Sequence, residues 1–276
     1  MILLIQSTDS IGLVAAVSQT LSNAQCNIVS LREHVDKDKK RFFLRVVTDN
    51  HPIDIKAIHT RLQALLPQDA IIKINPLPQK KVVVLVSKEY HCLGDLLLRN
   101  RFNTLGASIE AVIGNHIQLQ ELCAQFQVPF YPVSYENKTK ETAENEIQAI
   151  LDIYQPNYII LAKFMRILSP AFIENYLNSI INIHHSFLPA FIGAKPYQQA
   201  FDRGVKLIGA TAHFVTNDLD EGPIIAQRVA SVNHNHTVKD MVNVGKEIET
   251  TVLAKALQLV FEDRVMVYDN KTVVFE

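Results

Sequence analysis

The spacing of apolar residues changes along the chain, and those changes divide it. Residues 2–6, ILLIQ, form the short apolar run of a buried strand. After Asp9-Ser10-Ile11-Gly12, apolar positions Leu13, Val14, Val17 and Leu21 recur at helical spacing. Asn27–His34 reads as a second strand. The charged stretch Asp36–Lys40 then turns into Arg41–Thr48, where β-branched and aromatic residues dominate, and the two make a hairpin. Ile53–Leu66 returns to the helical period until Pro67 stops it, and Ala70–Ile74 is a fourth strand. The order βαββαβ is that of a ferredoxin-like unit.

Asn75-Pro76-Leu77-Pro78-Gln79-Lys80-Lys81 breaks the pattern with two prolines and two lysines, and reads as a linker. It divides the chain into residues 1–76 and 81–276. Beyond it, strand and helix alternate. Lys81–Ser87 is nearly all apolar, as a parallel strand covered on both faces should be. Further strands are expected over Ala107–Gly114, Val128–Ser134, Tyr158–Ala162 and Ile180–His184. Helices are expected over Cys92–Arg99, His116–Phe126, Thr139–Tyr154 and Pro170–Tyr176. Leu207–Val215 is strand-like, a helix lies near Val238–Phe261, and a short strand pair near Val265–Phe275 ends the chain. The alternation predicts an α/β fold, a doubly wound, mostly parallel sheet behind the smaller unit. Such sheets bind ligands at the carboxyl ends of strands, which points to the stretches after Leu161 and Ile183.

Composition narrows the function. The 276 residues carry 27 Lys and Arg against 28 Asp and Glu, and 48% are apolar, so a core is affordable and disorder is excluded as the dominant state. The basic cluster Lys37, Lys39, Lys40 and Arg41 is interleaved with Asp36 and Asp38, a charged hairpin tip rather than a nucleic-acid stripe. No apolar run approaches the ~18 residues of a membrane span. The opening MILLIQSTDSIG lacks a basic region and meets Asp9 early, so it does not read as a signal peptide. Cys26, Cys92 and Cys123 form no paired or zinc-like spacing and fit free thiols in a reducing cytoplasm.

Three segments can carry chemistry. In INIHHSFLPAFIG (181–193), Asn182 and His184 lie two apart on a strand end and share a face. An amide can hold a developing oxyanion, and an imidazole is suited to proton transfer near neutral pH. Alone, the pair is a weak signal, and a satisfied polar strand end is the better reading of it. TNDLDEGP (216–223) puts Asp218, Asp220 and Glu221 in a loop at the end of a strand that contains His213, where a catalytic carboxylate belongs in this architecture; such loops are more often solvated turns. LAKFMRIL (161–168) places Phe164, Met165, Ile167 and Leu168 where a loop is expected. It is either a buried helix start or an apolar wall for a flat ring, with Arg166 orienting it.

Other polar residues have plain readings beside the functional ones. His213 is a core histidine before it is a catalyst. His185 should face away from His184 by strand alternation. His234-Asn235-His236 lacks a third ligand and reads as an exposed turn, so no metal site is expected. Asp9, Ile11 and Gly12 are either a helix N-cap with a tight turn or an effector contact.

The combined pattern resembles the folate-dependent formyltransferase family: N-x-H…SxLPxxxG as NIHHSFLPAFIGAKPY, then HFV…LDxGPII as GATAHFVTNDLDEGPIIAQ, with LAKFMRIL similar to its LAxxMRIL loop. The resemblance covers roughly residues 81–270. The first unit resembles an ACT domain, carrying D-x-x-G at Asp9–Gly12, although Ser7-Thr8 stands where Cys-Pro is common. An ACT unit ahead of such a domain, VSKEYHCLGDLL and His185 are similar to the family's hydrolytic members.

That resemblance implies a formyltransferase fold acting on 10-formyltetrahydrofolate, with water as acceptor and no permanently bound cofactor. Asn182 and His184 would stabilise the tetrahedral oxyanion while Asp220 orients water. Phe164, Met165, Arg166, Ile167, Leu168, Thr216, Asn217 and Asp218 would bind the folate. It also implies a homo-oligomer and an amino-acid effector site at Asp9, Ile11 and Gly12. Family members that use a phosphorylated amine cradle its phosphate in the loop after the first strand. Here that loop is Ser87–Gly94, with one glycine and Glu89, which suits a dianion poorly. Formyl transfer to an amine such as glycinamide ribonucleotide, and a non-catalytic folate or amino-acid sensor, are the competing readings.

Overall fold

The computed structural model describes residues 1–49, 54–75, 79–190 and 196–276. Pro76–Pro78 of the expected linker, Ile53 and Gly193 lie outside the described residues. The chain forms two compact units.

The first unit comprises Met1–Pro78 with Glu262–Met266 and Val273–Glu276. Its elements are β1 (Ile2–Thr8), α1 (Leu13–Asn23), β2 (Ile28–Asp36), β3 (Arg41–Thr48), α2 (Ile55–Leu65) and β4 (Ile71–Asn75). The four strands pair antiparallel in the order β2-β3-β1-β4. Leu3 and Ile5 of β1 alternate inward onto Val17 and Leu21 of α1 and Ile58 and Leu62 of α2, all fully buried or nearly so. Asp54 caps α2 by accepting from Ala57 N at 3.0 Å. The N-cap of α1 is Gly12 at φ 91°, with no side-chain cap, so the carboxylate of Asp9 does not cap this helix. Ile11 beside it is fully exposed. Buried Arg45 donates to the Asp263 and Glu262 carbonyls at 2.9 and 2.8 Å, tying the C-terminal residues into this unit.

The second unit comprises Gln79–Phe261 and Val267–Thr272. In chain order it contains β5 (Lys80–Val86), α3 (His91–Arg101), β6 (Ala107–Gly114), α4 (Gln120–Gln125), β7 (Phe130–Pro132), α5 (Lys140–Tyr154), β8 (Tyr158–Ala162), α6 (Pro170–Glu174) and β9 (Ile180–His184). Then come α7 (Pro196–Asp202), β10 (Leu207–Phe214), β11 (Ile224–Ser231) and α8 (Val238–Phe261). The last short strands, β12 (Val265–Tyr268) and β13 (Lys271–Val274), pair with each other. The seven-stranded sheet runs β11-β10-β9-β8-β5-β6-β7. Strands β5 to β9 are parallel, and β10 and β11 are antiparallel additions at one edge. This is the expected doubly wound, mostly parallel fold. The order reverses between β5 and β8, so their carboxyl ends flank the crevice where ligands bind in such sheets.

Two elements are absent from the sequence reading. Strand β11, IIAQRVAS, has a mostly exposed outer edge and no clean alternation, and α7 is only seven residues long. The expected helix over 116–126 is shorter, beginning at Gln120. Helix α5 starts as expected, with Thr139 Oγ1 accepting from Thr142 N at 3.1 Å. Among the described residues, no helix is long and apolar enough to cross a membrane.

Candidate active site

The carboxyl ends of β8 and β9 open onto a cavity of about 530 Å³. Its walls come from the stretch after β8, the end of β9, and the loop between β10 and β11.

The stretch after β8 is held down at its start. Lys163 takes a left-handed backbone, φ 63°, and Met165 N donates to Ser87 Oγ, at the end of β5, at 2.9 Å. Beyond that anchor the side chains alternate. Phe164 and Leu168 point into the core, while Met165 and Ile167 are 60% and 62% exposed at the cavity. No helix starts within the segment, since α6 begins only at Pro170; half of its apolar side chains are core and half line the cavity. Arg166 lies 4.8 Å over the ring of Tyr135, whose edge meets Phe164.

Asn182 and His184 share one face of β9, as their spacing requires. His213 of β10 sits directly opposite Asn182, with its Nε2 3.2 Å from the Asn182 amide nitrogen. The other ring nitrogen, Nδ1, lies 2.9 Å from the Phe214 carbonyl and donates to it. That leaves the Nε2 lone pair to accept from Asn182. At 2% exposed, His213 has its pKa pushed down by burial, in keeping with a neutral ring. The core histidine thus fixes the orientation of the amide beside it.

Asp220 completes the group. Its Oδ1 lies 3.3 Å from His184 Nδ1 and 3.8 Å from His213 Nε2. Burial raises its pKa, but the hydrogen bond and charge of His184 outweigh this, and the carboxyl sits below its ordinary value. His184 Nε2, across the ring, has no hydrogen-bond partner among the described residues.

The carboxylate does not reach His184 from the end of the sheet that the sequence implied. β10 is antiparallel to β9, so its carboxyl end points away from the carboxyl ends of the parallel strands. The loop turns back instead, with Asp220 itself at φ 58° and Gly222 pressed against β10. A β-carbon on Gly222 would overlap the Phe214 carbonyl oxygen, so only glycine allows the approach. Thr216, Asn217 and Leu219 line the cavity; Asp218 does not, and its carbonyl instead accepts from Thr216 Oγ1 and Glu221 N inside the turn.

His185 departs from the alternation rule. His184 is the last residue of β9, so the rule ends there, and the two rings lie 4.9 Å apart along the cavity wall. Burial, with Lys163 and His184 nearby, lowers the His185 pKa to about 4. Lys163, absent from the sequence reading, also lines the cavity. His234 and His236 fall in an exposed turn where His236 Nδ1 meets Asn233. Glu89 is paired with Lys246 Nζ at 2.7 Å.

Comparison with known proteins fits this geometry. The formyl transferase family matches residues 80–257. The formyltetrahydrofolate deformylase of Haemophilus influenzae is 46% identical over 99% of this chain and 98% of its own. The crystal structure of a formyltetrahydrofolate deformylase from Pseudomonas syringae superposes with a TM-score of 0.94 at 40% identity, covering 100% of this chain and 94% of that one. Glycinamide ribonucleotide transformylase 1 from Symbiobacterium toebii is more distant, with a TM-score of 0.69 at 27% identity over 72% of this chain and 95% of its own. Likeness along nearly the whole length, in both sequence and fold, makes this chain a member of the formyltetrahydrofolate deformylase family.

Proposed function

We propose that the chain hydrolyses 10-formyltetrahydrofolate to formate and tetrahydrofolate, with no permanently bound cofactor. The observation that carries this reading is the meeting of Asn182, His184 and Asp220 at one wall of a cavity lined also by the 163–168 segment and by Thr216, Asn217 and Leu219. Asp220 accepts a hydrogen bond from water and aims its oxygen at the formyl carbon. As the C–O bond forms, the formyl oxygen gains charge. One Asn182 amide proton is committed to His213, and the other donates to that oxyanion. The water proton passes to the Asp220–His184 pair, and His184 Nε2 protonates N10 as the C–N bond breaks. Formate leaves as the anion, and one proton per turnover goes to solvent. Met165, Ile167, Arg166, Thr216 and Asn217 hold the folate ring, with Phe164 and Leu168 packed behind.

Water is favoured as acceptor because the loop after β5 offers a phosphate little welcome. Its Glu89 carboxylate already takes the nearby Lys246 charge. In the first unit, Asp9, fully exposed Ile11 and Gly12 are the place for an amino-acid effector, and the antiparallel sheet suits pairing into a homo-oligomer. The free, buried cysteines fit a cytoplasmic setting.

The test is formate release from 10-formyltetrahydrofolate in buffer without any amine, beside Asp220→Asn. Turnover in the parent and a loss of ~10³-fold or more in kcat in the variant, with tetrahydrofolate still bound, is the expected result. Turnover that begins only when glycinamide ribonucleotide is added makes the chain a transferase. Folate binding with no turnover under either condition makes it a sensor.

A further inference from the structure

Glu249, in the middle of α8, is 1% exposed, and no step above uses it. Its carboxylate is met by three donors from three distant parts of the chain. The Tyr197 hydroxyl donates to Oε1 at 2.7 Å, His91 Nε2 donates to Oε2 at 2.7 Å, and Lys163 Nζ lies 3.2 Å from Oε2. Gly245, one turn earlier on α8, makes the room, since a β-carbon there would overlap the Tyr197 hydroxyl. Burial raises the Glu249 pKa, but these partners outweigh it and hold the carboxyl at about 2. His91, Cys92 and Glu249 bring ligand-type atoms within 4.8 Å of one another. The Lys163 ammonium already supplies the positive charge there, so the arrangement is an ion pair rather than a metal cage.

Lys163 is the partner that reaches the cavity. It is also where the 163–168 segment departs from β8, in a left-handed backbone that costs energy unless something holds it. The segment therefore has two tethers, Lys163 to Glu249 and Met165 to Ser87, two residues apart. Lys163 lines the same wall as His185, which it disfavours in the charged form.

We propose that Glu249 is a positioning residue for substrate binding: by holding the Lys163 ammonium it sets the course of the 163–168 segment across the cavity and keeps that charge drawn back from the reacting carbon. The proposal rests on the hydrolase reading above.

Glu249→Gln keeps the shape and the Tyr197 bond and removes the charge. The expected result is a KM for 10-formyltetrahydrofolate raised ~10-fold or more while kcat falls less than ~3-fold. The double variant Glu249→Gln/Lys163→Met also removes the stranded ammonium, so its Tm returns toward the parent while KM stays high. This pair separates positioning from stability, and the double variant carries the test where the single one does not fold. A KM within about 2-fold of the parent in the folded variants overturns the inference and leaves Glu249 a structural anchor. Absence of formate release from the parent refutes the hydrolase reading instead. In that event tetrahydrofolate affinity, measured by calorimetry on the same proteins, still reads the segment's position: unchanged affinity overturns the inference and weakened affinity supports it.

Discussion

Asp220 and Glu249 are both carboxylates set among histidines, and both titrate below their ordinary range. They differ in how fully they are used. Glu249 has three donors at 2.7–3.2 Å and is 1% exposed. Asp220 sits 3.3 and 3.8 Å from its two imidazoles and remains 14% exposed at the cavity wall. A saturated buried anion has no capacity left for a reactant, so it can only hold its neighbours in place. A loosely held one has lone pairs to offer water, and its hydrogen bonds can tighten as charge develops. On the readings proposed above, the difference between a group that reacts and a group that positions lies in hydrogen-bond capacity rather than in residue type.

That contrast can be broken most sharply on the open side. Asn182→Ala removes the donor that the proposed mechanism assigns to the oxyanion while leaving the Lys163–Glu249 pair intact. We expect kcat for formate release to fall ~10²–10³-fold with KM little changed. A large KM effect with kcat preserved would place Asn182 among the holding groups. Next comes Gly222→Ala, which pushes the loop off Phe214 without touching any reacting side chain. A displacement of about 1 Å at Asp220 should lower kcat by up to ~10²-fold while the thermal midpoint moves by a few degrees, a split that steady-state kinetics and calorimetry on one preparation resolve.

The smallest effect concerns protonation. His185 titrates near pH 4 when folded, below its ordinary 6.5. Between those values the unfolded chain binds a proton that the native state refuses, so stability falls as pH drops through that window. His213, also shifted down, contributes in the same direction. His185→Gln should flatten part of the slope of Tm between pH 6.5 and 4. An unchanged slope would mean that His185 takes up its proton as readily in the folded chain as in the unfolded one.

Much of this was legible in the residues. The run KVVVLVS and its successors gave the parallel sheet because strands covered on both faces have nowhere to put polar side chains. Asn182 and His184 were found because strand geometry forces i and i+2 onto one face. What escaped was non-local or irregular. His91, Lys163, Tyr197 and Glu249 converge from three helices and the stretch after β8, and no spacing rule brings them together before the fold is known. Strand β11 hid because an edge strand need not alternate. His185 was misdirected because the alternation rule was carried one residue past the end of β9. The route of the Asp220 loop depended on β10 running antiparallel, which its own sequence does not declare.

Lys163 shows how such a site constrains the drift of a sequence. Its left-handed backbone angle is one that glycine adopts freely and a lysine holds at a cost of roughly 1 kcal/mol. Its ammonium, however, is the counter-charge of a carboxylate shut away from water. A change to glycine relaxes the main chain and orphans Glu249; arginine keeps both the strain and the charge but carries that charge on a larger, planar group; the uncharged replacements lose it. Loss of the charge at 163 becomes tolerable only together with loss of the charge at 249, so where either charge goes these two distant positions should change as a pair.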